Sequence, residues 1–241
     1  MNPVEAAVRM AKPTRDLTAN FMLDSATYER GNELGFDGFD FYVAGRGGVL
    51  GDVDAAIVSA SFVFFNPAMI RHRWERARGV MAPREAALVF AGCLHSWSDQ
   101  HLCVGPSYAR LAGLTGKVIA SAGPAGAPLF AGWRSLPEPD DEVALAMHRL
   151  NGLRELRGAL HGAAVLAQGL DPLVALLVKT PFLAGVFGWK EPFPDVELAR
   201  EAWQAAETAT DVAMGRVLAS LDEPEQQELA ELLEAAHAAV H

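Results

Sequence analysis

Arg154, Arg157 and His161 sit in the stretch LRELRGALHGAAV (153–165), inside an Ala/Leu-rich segment with the pattern of a buried helix. At about 100° per residue the three side chains fall within an arc of about 60°. They border an apolar stripe made of Leu150, Leu153, Leu156, Leu160 and Ala164. Asn151, Gly158 and Gly162 lie on the other flank, with Glu155 just beyond, so small residues leave room for close approach. A ligand bearing a carboxylate, phenolate or enolate fits such an edge: arginine supplies fixed charge, and histidine exchanges a proton near neutral pH. On this reading His161 transfers the proton and Arg157 faces a developing oxyanion. Arg154, Glu155, His148 and Arg46 are the further ligand contacts, and the chemistry calls for no metal and no cofactor. The competing reading is a helix–helix seam, with the arginines covering a neighbouring helix and His161 a satisfied interior group. Spacing leaves both open.

Three other constellations carry chemistry-bearing residue types. Cys93, His95, Asp99, His101 and Cys103 are of the kinds that bind zinc or copper. On a helix, however, Cys93 and His101 share one face while His95 and Asp99 share another, so four donors do not converge. Gly45-Arg46-Gly47-Gly48 could cradle an anion through its backbone N–H groups, but without a preceding strand or a Walker lysine it reads better as a tight turn with a salt-bridged arginine. Arg71, His72, Arg73, Arg76 and Arg78 form a basic cluster around Trp74. It could meet an anionic partner, or simply be a solvated helix face.

The elements that must position these residues are helices. Capping residues and prolines predict starts at Asp52 or Asp54, at Asn66-Pro67, at Pro83 and at Asp171-Pro172. Asp140-Asp141-Glu142 places negative charge at the start of a long helix ending near Gly169, which carries the Arg/His edge. A helix AAIVSASFVFF is expected to run up to Asn66, and SAGPAGAPLFAGW to be an ordered loop. The expected organisation is an N-terminal helical region (1–104), a Gly/Pro-rich crossover loop (105–139) and a C-terminal helical region (140–241).

With 51 % apolar and 21 % charged residues the chain has globular composition. The apolar run 162–189 is interrupted by Asp171, Pro172, Lys179 and Pro181, which argues against a membrane span. Two cysteines make no disulfide framework, and a cytoplasmic location is expected. From residue 190 onward three basic residues face twelve acidic ones, a balance of −9, whereas residues 1–189 carry −1. That acidic tail is the wrong sign for phosphates, so nucleic-acid binding is disfavoured.

Several segments carry a resemblance: FYVAGRGGVLGDV (41–53), VSASFVFFNPAMI (58–70), and above all 128–177, with its L-R-E-x-R-G-x-x-H core at Leu153, Arg154, Glu155, Arg157, Gly158 and His161. His148 and the later Gly188-Trp189 match as well. The chain resembles a largely uncharacterised actinobacterial family whose members carry a helix-turn-helix-like, MarR-related domain. The resemblance implies a mainly helical fold, a winged-helix portion towards the C-terminus, and a natural-product or small-molecule context. This sequence departs from the pattern after Trp189, where KEPFPDVELAREAW leaves too few residues for a recognition helix plus wing. Leu156, Ala159, Leu160 and Phe64 also make the expected pocket more apolar than in relatives.

The expectation is therefore an all-α multi-helix bundle with a degenerate winged-helix, MarR-like C-terminal part. It would be a homodimer binding an apolar small molecule with an anionic or carbonyl group, possessing Arg/His acid–base chemistry if it is an enzyme. The alternative is a MarR-like, ligand-responsive transcription regulator.

Overall fold

The computed structural model describes residues 1–102 and 105–240. Along the chain run α1 (Pro3–Leu23), α2 (Ser25–Glu33), α3 (Asp40–Gly47), α4 (Ala55–Ser61), α5 (Pro67–Arg78) and α6 (Pro83–His101). There follow α7 (Tyr108–Ser121), α8 (Pro128–Arg134), α9 (Glu142–Ala167), α10 (Pro172–Lys179), α11 (Arg200–Leu218) and α12 (Glu223–Ala238). Among the described residues there is no strand, and the fold is an all-α bundle.

The axis is α9, against which α1, α6, α7, α8 and α11 pack. Its ends follow from local chemistry. Asp141 accepts the N–H groups of Val143 and Ala144, both at 2.9 Å, which satisfies donors that have no partner within the helix. At the other end Gly169 adopts φ 72°, the left-handed conformation that costs glycine little. Leu170 N–H then donates to Val165 O and Gly169 N–H to Leu166 O, the paired closure of a Schellman turn.

One apolar core draws Phe21 from α1, Trp74 from α5, Phe90 from α6, Leu111 from α7, Phe130 from α8 and Met147 from α9, all essentially buried. Burying each such side chain stabilises the fold by about 1.5–3 kcal/mol. α3 lies on α5 and α6, and α4 lies on α5, so α3–α5 form a three-helix unit on one flank.

Three expectations about elements are corrected. The helix begun at Asp54 stops at Ser61, because Trp189 Nε1–H donates to Phe64 O (2.9 Å) and Asn66 N–H to Phe187 O (2.8 Å), drawing 62–66 into a turn. The segment expected as a tight turn is helical, Gly45–Gly47 ending α3 and Gly48 opening a 3-10 turn, while Arg46 is salt-bridged as expected. Its glycines are packing positions: a Cβ on Gly45 would lie 2.3 Å from the Phe90 ring, and one on Gly48 2.0 Å from Pro83 O. The crossover 105–139 also contains α7 and α8 rather than only loop.

The C-terminal winged-helix expectation finds no wing among the described residues. Between Trp189 and Val196 there is neither helix nor strand, and Pro192 and Pro194 lack the N–H that a strand pair would use. α12 spends its apolar side, including Leu229 and Leu233, on α1 and α7 of the same chain. Among the described residues no single helix is long and apolar enough to cross a membrane.

Candidate functional site

The residues singled out in the sequence gather into three polar clusters along α9. In the first, Arg46 of α3 donates Nε–H to Glu155 Oε1 (2.8 Å) and Nη2–H to Oε2 (2.9 Å). Arg154 donates to the same Oε1 at 2.6 Å. The Arg46 guanidinium also lies 4.6 Å from the centre of the Phe62 ring and bonds the Tyr42 hydroxyl. Burial alone would push the Glu155 carboxyl up, but the two arginines outweigh it and bring it down to about 2. This cluster is a buried ionic clamp between α3 and α9.

One turn on, Arg157 Nη2 donates to Glu207 (3.2 Å) and Asp211 (3.1 Å), both on α11. Thr210 donates its hydroxyl to Ala206 O at 2.7 Å, so its oxygen is left to accept. That assigns the proton of neutral His161 to Nδ1, which faces Thr210 Oγ1 at 3.1 Å and Glu207 Oε1 at 3.3 Å. Burial lowers the His161 pKa; Glu207 pulls it back up, Arg157 adds to the lowering, and Asp211 opposes it. With two carboxylates against one guanidinium, the cluster carries excess negative charge while His161 is neutral.

Two turns earlier on α9, buried His148 meets His95 of α6, Nδ1 to Nε2 at 3.2 Å, beneath Trp133. Burial, reinforced by His95, depresses the His148 pKa to about 4. Among the described residues no three His, Cys, Asp or Glu side chains could hold a metal; Cys103 lies outside those residues.

The predicted site residues thus fall into three neighbouring clusters rather than around one cavity. Among the described residues, one surface cleft of about 570 Å³ is lined by Met1, Val4, Val8, Arg9 and Gln227. Another, about 400 Å³, lies between α2 and α6 and is lined by Asp24, Arg30, Val89, Cys93 and Trp97. Neither includes a residue of the Arg/His edge of α9, and the second includes Cys93 of the candidate metal set. Sequence reasoning also missed Glu207, Thr210 and Asp211, whose signal was present: Glu207 and Asp211 are four apart, one face of a helix.

The basic cluster has a different setting. Ile70, Trp74 and Ala77 anchor α5 in the core, and Trp74 Nε1–H donates to Val53 O at 3.1 Å. Ala68, Arg71, His72, Glu75 and Arg78 of α5 are exposed to solvent. Asn66 caps the helix by accepting from Ala68 N–H (2.9 Å) and Met69 N–H (3.2 Å). α4, the turn at 62–66 and α5 are therefore two short helices, the second of which exposes Arg71, His72 and Glu75 together with Arg78, which pairs with Asp52.

A model described as a helix-turn-helix family matches residues 7–206. The chain belongs to this helix-turn-helix family. No curated protein and no solved structure matches it. Membership corrects the expectation that nucleic-acid binding is disfavoured, since a helix-turn-helix family points towards nucleic-acid interaction. The physical error lay in counting charge by stretch of sequence. Much of the acidic tail is spent on cations of the bundle: Glu234 on Arg9, Glu228 on Arg110, Glu225 on Lys117, and Glu207 and Asp211 on Arg157. None of those carboxylates is on α5.

Proposed function

We propose that this member of the helix-turn-helix family is a ligand-responsive transcription regulator that docks α5 on duplex DNA. The observation that carries the reading is the α4–turn–α5 pair, whose second helix is anchored by Ile70, Trp74 and Ala77 and turns Arg71, His72 and Arg78 outward. In helix-turn-helix proteins the second helix enters the major groove with its N-terminal residues towards the bases. The MarR-like side of the proposal is the response to a ligand. The cleft beside Arg30, Cys93 and Trp97 has the size of a small-molecule site, about 300–1,000 Å³. It opens on α6, whose Phe90 abuts Gly45 of α3 and so touches the α3–α5 unit. The acid–base reading of the Arg157–His161 edge gains no comparable support, because Glu207 and Asp211 already oppose the charge an oxyanion would need.

Fluorescence anisotropy with random-sequence duplex DNA tests the reading. Binding is expected at about 10 µM protein in low salt and should weaken linearly in log–log form as salt rises. Arg78→Glu, which reverses the charge of an exposed α5 arginine otherwise shared with Asp52, should weaken that binding severalfold. Arg110→Ala, whose side chain is paired with Glu228, should leave it unchanged. Wild-type protein with no salt-dependent duplex binding would overturn the proposal.

A further inference from the structure

The five basic residues of α5 are not equivalent. Arg73 donates to buried Asp40 at 2.8 Å, and Arg76 bonds the other oxygen of Asp40 at 2.9 Å while reaching Asp37. Arg78 pairs with Asp52 at 2.7 Å and more distantly with Glu75. Asp40 is 2 % exposed, so its two arginines are tethered along the flank of α5 that faces α3. Arg71 is exposed, and no hydrogen bond or ion pair is found for it among the described residues.

Position separates it as well. Arg71 is the fifth residue of α5, in the N-terminal half that a helix-turn-helix protein brings to the base edges. It lies about 100° round the helix from Ile70 and about 60° from Trp74, the residues that fix the helix in the core, and it is exposed. A guanidinium fork there matches the two acceptors, O6 and N7, that guanine alone offers together in the major groove. Glu75, one turn further on the same side, would repel phosphates but can accept from the cytosine N4 amine. Among the described residues Arg71 is thus the α5 arginine without an ion pair, beside a carboxylate that suits a base edge better than a phosphate.

We infer that Arg71 is the specificity-determining residue of α5, selecting guanine in the major groove of duplex DNA. The inference rests on the regulator reading above, and its test separates the two. Duplexes are selected from a random pool with wild type, Arg71→Ala and Arg71→Lys, and affinities are then measured on the enriched sequence. Wild type should enrich a motif with a fixed guanine. Arg71→Ala should lose at least about tenfold of the preference at that position, keep the rest of the motif, and keep the salt slope within about half a unit. Replacing that guanine by 7-deazaguanine, which lacks the N7 acceptor, should weaken wild type and leave Arg71→Ala unaffected. Arg71 is solvent-exposed and has no ion pair among the described residues, so coincident thermal melts of wild type and variants are expected to show an intact fold. If Arg71→Ala retains the guanine, or wild type binds duplexes without sequence preference, the inference fails while the regulator reading stands. If wild type binds no duplex, or prefers single-stranded RNA, both fail.

Discussion

Arg46 and Glu155, 109 residues apart in sequence, form a two-pronged ion pair in which the carboxylate is only 3 % exposed. The pair ties α3, and with it the α3–α5 unit, to the central helix. Both charges are removed from water, so each depends on the other far more than a surface pair would. Glu155→Gln should therefore cost about 3–5 kcal/mol in urea denaturation, because it leaves Arg46 buried beside Arg154 without a counter-charge. The double replacement Arg46→Met with Glu155→Met should cost at least about 2 kcal/mol less than that single change, since apolar isosteres need no desolvation. If the double variant is as unstable as the single one, the clamp is held by packing rather than by charge.

The contact between α3 and α6 makes a second prediction. A Cβ on Gly48 would lie 2.0 Å from the backbone oxygen of Pro83, which cannot swing aside as a side chain can. Gly48→Ala should destabilise the fold by about 1–3 kcal/mol or more. Gly113, mid-way along α7 and exposed, has nothing within 4 Å of a built Cβ. Gly113→Ala should instead stabilise by about 0.5–1 kcal/mol through the unfolded chain and helix propensity. Thermal melts in which the two changes moved in the same direction would contradict this reading of the glycines.

These two cases show which parts of the molecule the residues announce and which they do not. The bounds of α9, α5, α6 and α12 were legible because caps, N-terminal prolines and a 3.6-residue period act locally. The early end of α4 was not legible, since it depends on Trp189 and Phe187, more than a hundred residues away. The same limit applies to the site. The Arg/His edge of α9 could be drawn from spacing, but spacing cannot say which helix faces it. Glu207 and Asp211 turned the edge into a seam with α11, and Glu155 belongs to Arg46 rather than to a ligand. The charge of the tail misled for a related reason: sequence counts carboxylates without showing which cations they meet.

The seam itself predicts a titration. Glu207 faces the His161 Nδ1–H and favours the charged imidazole, whereas burial and Arg157 disfavour it. Glu207→Gln removes that support but keeps an oxygen in place. The His161 pKa, already below its ordinary value, should fall further, which a histidine-resolved NMR titration reads directly. An upward move would show that Glu207 does not act on the ring.

The His95–His148 pair predicts how stability responds to acid. Both rings are depressed by burial, and His148, with a pKa of about 4 when folded, titrates near 6.5 when the chain is unfolded. Between those values the unfolded state binds more protons than the folded state, so stability rises with pH across the window. The stability is fully present above about pH 6.5 and is lost as pH falls towards 4. For His148 alone the difference corresponds to about 3 kcal/mol between the two ends. Urea midpoints at pH 7 and pH 5 should differ accordingly in wild type. His148→Gln keeps a hydrogen-bonding group against His95 and removes one titrating ring, so its midpoint should change less over the same interval. The carboxylates do not mimic this effect in that window, because the strongest of them, Glu155, loses its contribution only below its unfolded range, as pH drops towards 2. Equal pH dependence in wild type and His148→Gln would mean that His148 is not the proton acceptor that limits acid stability.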